Sequence, residues 1–199
     1  MLKVVEENKN IDILEMLKET GAIMKGHFKL SSGYHSGYYL QCARLLQFPG
    51  LTRKISNETK SILLKTINNE SIKTVVSPAM GGILYGYMLA DVMGKRMIFT
   101  ERKTEKMELR RGFSLKKGEE IIIAEDVITT GGSVREVIDI CKSLGADIRG
   151  IVSIVDRSEG VDFGIPYIPL IKLQIDKYHP SECKLCKNNV DIDHPGSKK

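Results

Sequence analysis

Tryptophan is absent from the 199 residues, and aromatic residues of all kinds make up only 6% of them. A nucleic-acid surface usually interleaves aromatics with a basic stripe, and here the most basic stretch contains one ring, Phe113. Nucleic acid is therefore not expected as a partner. No apolar run approaches the roughly 18 residues needed to cross a bilayer as a helix, so no membrane partner is expected either. The opening Met-Leu-Lys-Val-Val-Glu-Glu lacks the apolar core of an export signal. A soluble, cytoplasmic chain is the expectation. The four cysteines, at 42, 141, 183 and 186, are then expected as reduced thiols. No internal repeat and no low-complexity tract breaks the sequence. No Ser-His-Asp or Cys-His arrangement for covalent catalysis presents itself either.

What is present suits one ordinary globular domain: 199 residues, 42% apolar, enough for a sizeable core. Apolar positions 11, 13, 14, 16 and 17 predict a helix over 11–20, and short extended runs on either side of Ser31–Gly37 predict paired strands over 27–41. A proline-led helix follows over 49–67. From there short apolar strands (74–77, 97–100, 120–125, 148–155) alternate with helices (82–93, 133–144). That alternation predicts an α/β fold with a doubly wound, mainly parallel sheet. Ser133 and Glu136 have the spacing of a capping box at the start of the last helix, and Gly145 stands at its end. The organisation expected is one domain over 1–199, with N-terminal elements over 1–45, a core over 70–175 and a loosely packed polar tail over 176–199.

Residues 121–133, Ile-Ile-Ile-Ala-Glu-Asp-Val-Ile-Thr-Thr-Gly-Gly-Ser, carry the most chemistry. A buried strand runs into two adjacent acids, Glu125 and Asp126, which can accept hydrogen bonds from the vicinal hydroxyls of a ribose. After Val127 and Ile128 come Thr129, Thr130, Gly131, Gly132 and Ser133. Their open backbone N–H groups, their hydroxyls and the N-terminus of the following helix form a nest for a terminal phosphate. Ser77-Pro-Ala-Met-Gly-Gly82 offers a second strand-to-helix nest, at Ala79, Met80 and Gly81. Between Glu101 and Lys117 seven Lys/Arg face three Glu, a net +4 in seventeen residues. A long basic loop over 101–112 suits a mobile active-site lid, and a solvated hairpin tip is the competing reading. Arg157 closes a strand at the end where parallel sheets bind ligands, and its fork can hold a carboxylate or pair locally with Asp156. His179-x3-Cys183-x2-Cys186-x7-His194 holds four possible zinc ligands at loose spacing.

The 121–133 segment resembles the phosphoribosyl pyrophosphate (PRPP) signature of the type I phosphoribosyltransferases. The chain as a whole is similar to the orotate phosphoribosyltransferases. Gly26–Gln41 is similar to the segment of that family that covers the base, as a hood. Pro78–Gly82 resembles its pyrophosphate loop, Arg102-Lys-x-x-Lys106 its lid and Asp156-Arg157 its orotate-binding pair. The ending Cys-x-x-Cys followed by His194-Pro-Gly-Ser resembles one bacterial and archaeal branch. The resemblance implies transfer of ribose 5-phosphate from PRPP to orotate in pyrimidine (UMP) biosynthesis. It implies PRPP contacts through Glu125–Ser133 and through Ala79, Met80 and Gly81, and orotate contacts through Thr129 and Arg157. It gives catalytic roles to Arg102, Lys103 and Lys106. It also implies Mg²⁺ carried by the PRPP pyrophosphate, and a homodimer whose lid reaches the neighbouring site. Ser31 and Gly81 stand where better-known members carry lysines, and Glu108 stands near the place of their lid histidine, so Arg110 or Arg111 are candidates to supply the missing cations. The alternatives are a purine or uracil phosphoribosyltransferase, whose bases give Arg157 no carboxylate, and a PRPP-responsive regulator of the same fold.

Overall fold

Runs of branched apolar residues too short for helices become the centre of the sheet. In chain order the elements are β1 (Leu2–Glu7), α1 (Ile13–Glu19), β2 (Ile23–Lys29), β3 (His35–Leu40), α2 (Ala43–Leu46), α3 (Pro49–Thr66), β4 (Thr74–Pro78), α4 (Gly81–Met93), β5 (Arg96–Lys103), β6 (Lys106–Leu109), β7 (Glu120–Ile128), α5 (Gly132–Ser143), β8 (Asp147–Asp156), β9 (Tyr167–Ile175), β10 (Lys177–Tyr178) and α6 (Lys184–Lys187). They come from a computed structural model that describes residues 1–7, 11–67 and 70–195.

Seven strands form one sheet in the order β1-β9-β8-β7-β4-β5-β6. The inner five are parallel, and the edge pairs β1–β9 and β5–β6 are antiparallel. The order of the inner strands reverses between β7 and β4, which is the switch point where doubly wound sheets bind ligands at the strands' carboxyl ends. β7 reads Ile121-Ile122-Ile123-Ala124, all fully buried, because its alternate side chains enter two different cores. One core combines Ile122 and Ala124 with Tyr85 and Leu89 of α4 and with Leu63 of α3. The other combines Ile121 and Ile123 with Val134, Val137 and Ile138 of α5. A strand covered on both faces reads as a continuous apolar run.

A second, three-stranded sheet has the order β10-β3-β2, so the expected N-terminal hairpin exists and gains a strand from the tail. Residues 176–195 are mostly exposed, and the tail carries only short regular elements, β10 and α6, anchored at single points. Cys183 is fully buried, and Phe28 on β2 bridges to Asp193. Gly196 and Ser197 of the His-Pro-Gly-Ser ending lie outside the described residues.

Three local expectations are corrected. Strands β1 and β9 stand where none were predicted. The segment expected as a mobile loop over 101–112 is in large part a hairpin, the competing reading, with Arg102 opposite Met107 and Lys103 opposite Lys106, because β5 runs on to Lys103 and Met107 is buried. The capping box does not form either. Gly131 is the N-cap of α5 without a side-chain cap bond, Ser133 lies inside the helix, and Glu136 binds Arg102 instead.

Candidate active site

Strand β7 continues past its buried half and delivers Glu125 and Asp126 to the carboxyl edge of the sheet. Glu125 is 8% exposed, and its Oε1 accepts the Asp126 N–H at 3.0 Å. Asp126 Oδ1 accepts the Val127 N–H at 2.9 Å. No lysine or arginine pairs with either acid among the described residues. Burial, together with the neighbouring charge of Asp126, raises the Glu125 carboxyl well above the usual range, and burial raises Asp126 too. Two acids held at such a cost in solvation need a compensating donor, and a vicinal diol or a cation supplies it.

The second nest lies directly against these acids. A Cβ on Gly81 would lie 2.6 Å from Asp126 Oδ1, and one on Gly82 would lie 2.9 Å from Glu125 Oε1 and 3.0 Å from the Ala124 carbonyl. Glycine at both positions lets the N-terminus of α4 touch the acid pair, which brings residues 79–82 and 125–126 into one site. The Ala79–Met80 peptide is cis. A side chain at 81 would require the Asp126 carboxylate to turn away.

After Ile128 the chain turns through Thr129–Gly131 into α5. These residues, with Glu125 and Gly132–Val134, line one small cleft. Gly131 has φ +76°, and a Cβ there would lie 2.9 Å from the Phe163 ring and 3.0 Å from Val161 Cγ2. Only glycine combines that left-handed turn with the overlying 161–163 loop. The N-cap Gly131 supplies no capping side chain, the Gly132 N–H makes a long 3.4 Å contact to Thr130 Oγ1, and the N-terminus of α5 lies at the cleft.

Arg157 enters from β8. Its backbone N–H bonds to the Ile128 carbonyl at 2.8 Å, which fixes it beside the cradle. The local ion pair does not form: Asp156 Oδ1 accepts the Ser158 N–H at 2.7 Å, and Arg157 makes no ion pair among the described residues. Its Nε is buried without a hydrogen-bond partner. Burial pulls the guanidinium down, while Tyr39 on β3 and Cys42 act in the opposite direction, so Arg157 sits between the cradle strand and the small sheet. A guanidinium in such a place is a receptor for an anion.

The basic hairpin makes its own contacts within the chain. Arg102 is bidentate on Glu136 of α5, and with Lys106 it lines a separate cleft against Asp139 and Ile140. Arg110 and Arg111 both pair with Glu101, and Arg111 also stacks over Phe99. Lys103 and Lys106 make no ion pair among the described residues. None of Arg102, Lys103 and Lys106 lines the chain's own cradle.

The four possible zinc ligands noted in the sequence do not come together as one set. His179 Nδ1 bonds to Ser181 Oγ at 2.7 Å, and the histidines that meet Cys183 and Cys186 are His27 and His35. These Cys–His contacts, missed in the sequence, arise because β2 and β3 carry the two histidines to the tail. A His at each end of a hairpin that must pair was the available signal.

A phosphoribosyl transferase domain model matches residues 44–167, which span the cradle and Arg157. The chain is 47% identical over 187 residues to an orotate phosphoribosyltransferase of Thermotoga maritima, covering 94% of this chain and 98% of the relative. It is 45% identical over 196 residues to one of Caldanaerobacter subterraneus subsp. tengcongensis, covering 98% and 100%. The crystal structure of orotate phosphoribosyltransferase from Aeropyrum pernix superimposes with a TM-score of 0.68 at 24% identity, covering 81% of this chain and 93% of that one. An adenine phosphoribosyltransferase structure reaches 0.63 at 19%, covering 78% and 98%, so the fold is shared beyond orotate enzymes. With 45–47% identity over nearly its full length and a matching domain model over 44–167, this chain belongs to the orotate phosphoribosyltransferases of the type I phosphoribosyltransferase family.

Proposed function

We propose that the chain transfers ribose 5-phosphate from PRPP to orotate, releasing pyrophosphate and orotidine 5-monophosphate, as a cytoplasmic step of pyrimidine biosynthesis. Thr129–Ser133 cradle the 5-phosphate, Glu125 and Asp126 accept from the ribose hydroxyls, and Ala79–Gly81 face the pyrophosphate. Arg157 holds the orotate carboxylate, with Thr129 beside it and the small sheet of β2, β3 and β10 as a hood. A nitrogen of the base attacks the anomeric carbon as pyrophosphate leaves, and positive charge develops on the ribose. Fixed placement of both partners supplies much of the rate, and the hood keeps water from the reacting carbon.

The acid pair without a cation partner fits a hard divalent ion, which prefers carboxylate and phosphate oxygens. Mg²⁺ would be held by the pyrophosphate oxygens, with Asp126 and Glu125 as the carboxylates this chain offers there. When bound it neutralises charge on the leaving group. Arg102, Lys103 and Lys106 share that task, and the reading assigns them to the site of a second subunit in a homodimer. What supports the crossing is that none of the three lines its own chain's cradle, while the β5–β6 hairpin forms the free edge of the sheet.

The observation that carries the choice of orotate is the half-buried Arg157 guanidinium, beside the cradle and without an acid of its own. The purified chain with PRPP and Mg²⁺ should consume orotate, followed by loss of its ultraviolet absorbance, and should leave adenine and uracil untouched. Consumption of either other base in place of orotate would overturn the reading.

A further inference from the structure

We propose that His27, His35, Cys183 and Cys186 bind one zinc ion that fastens the tail to the hood. The four ligand atoms lie within 4.8 Å of one another. His27 Nε2 is 3.0 Å from His35 Nδ1, 3.5 Å from Cys183 Sγ and 3.6 Å from Cys186 Sγ, and Cys186 Sγ is 3.2 Å from His35 Nδ1. A tetrahedral zinc with ordinary bond lengths needs edges of about 3.3 Å between two nitrogens and about 3.6 Å between nitrogen and sulfur. The observed edges fall within a few tenths of an ångström of those lengths.

Hydrogen bonding alone does not account for the cluster. An imidazole nitrogen has either one proton or one lone pair, yet His27 Nε2 meets three polar atoms at once. A cation at their centre satisfies all of them. The other ring nitrogen supports the same assignment: His27 Nδ1 lies 2.8 Å from the Val190 carbonyl and must donate its proton there, which leaves the Nε2 lone pair facing the cluster. Such an outer hydrogen bond is the usual way a ligating histidine is oriented. His27 and His35 are 3% and 7% exposed, Cys183 is fully buried, and no disulfide links the cysteines.

The surrounding chain needs a fastening of this kind. Beyond the two-residue β10, the tail presents Val190 and Ile192 to solvent and buries little apolar surface of its own. Short segments with so small a core are commonly held by a metal or a disulfide. Cys183 precedes the single turn of α6 and Cys186 lies within it, so one knuckle of the tail supplies both thiolates. The hairpin supplies both imidazoles. Four protein ligands and no open position describe a structural site, and β3, which supplies His35, also carries Tyr39, whose hydroxyl acts electrostatically on Arg157.

The test uses the full chain, purified without a metal-affinity step. Its zinc content by mass spectrometry should be stoichiometric. The chelated protein should bind Co²⁺ with the intense visible bands of tetrahedral thiolate coordination, displaced by Zn²⁺, and its melting temperature should fall on chelation and recover with zinc. Cys183→Ser/Cys186→Ser should lose the metal and the cobalt spectrum, and His35→Gln should weaken both without altering the cysteines. Zinc far below stoichiometry together with no cobalt spectrum in the native-sequence chain would overturn the proposal. So would a Cys183–Cys186 disulfide found by mass spectrometry, or equal zinc in the chain and the double variant. None of these readings depends on which base the enzyme uses.

Discussion

Asp126→Asn separates catalysis from stability at the acid pair. The amide is isosteric, and its oxygen can keep the 2.9 Å bond from the Val127 N–H, so the local backbone should not move. What disappears is a charged acceptor for a ribose hydroxyl, a difference of roughly 1.5–3 kcal/mol, or a fall of about 10- to 100-fold in kcat/KM for PRPP. Stability should go the other way. Burial raises both carboxyls in the folded chain. An acid raised on folding contributes stability that is fully present below its unfolded pKa and is lost as pH rises through the folded one. The parent chain should therefore lose stability relative to Asp126→Asn as pH rises from the ordinary carboxylate range toward neutrality. Steady-state kinetics with varied PRPP and denaturant melts across that pH range test both halves. Near-normal turnover would remove the diol role, and a variant that loses turnover and stability together at neutral pH would make Asp126 a structural residue.

Gly131→Ala should cost at least ~1–2 kcal/mol of stability, because an L-residue at φ +76° is strained and its methyl meets Phe163 at 2.9 Å; a denaturation midpoint equal to that of the parent chain would contradict the tight turn. A mixture of the inactive variants Lys106→Ala and Asp126→Asn should regain about a quarter of parental activity after subunit exchange, since half the dimers are hybrids with one intact site of two; no recovery after verified exchange would refute a lid that crosses between subunits.

Most of the scaffold was legible because its strands are covered on both faces. The run Ile121–Ala124 is wholly apolar and the runs Thr74–Ser77 and Ile148–Val155 are largely so for that reason, and their alternation with helices dictates the parallel sheet. The acid pair and phosphate nest were legible because both lie within one continuous strand-turn-helix. What escaped depended on distant pairing. β1 is an edge strand with half its residues exposed, matched to β9 some 170 positions away, and β9 carries Pro169, which argues against a strand until its partners are known. The contact of Gly81 with Asp126 and the meeting of His27 and His35 with the tail cysteines are likewise products of closure. The capping box misled because its two residues have the right spacing for a cap, while the helix starts one turn-residue earlier, at Gly132 behind an N-cap glycine, and Glu136 pairs with Arg102.

The most direct measurement of the central claim compares two constants in Arg157→Ala, the KM for orotate and the Kd for PRPP. Arg157 Nε is buried without a partner, so the orotate carboxylate should be the group it serves. Removing one partner of a buried pair costs ~3–5 kcal/mol, equivalent to a loss of about 10²–10⁴ in kcat/KM for orotate. PRPP, which the proposed reading assigns to Glu125–Ser133, should bind the variant nearly as it binds the parent chain. Unchanged use of orotate, or equal weakening of both ligands, would make Arg157 a structural arginine and contradict the account.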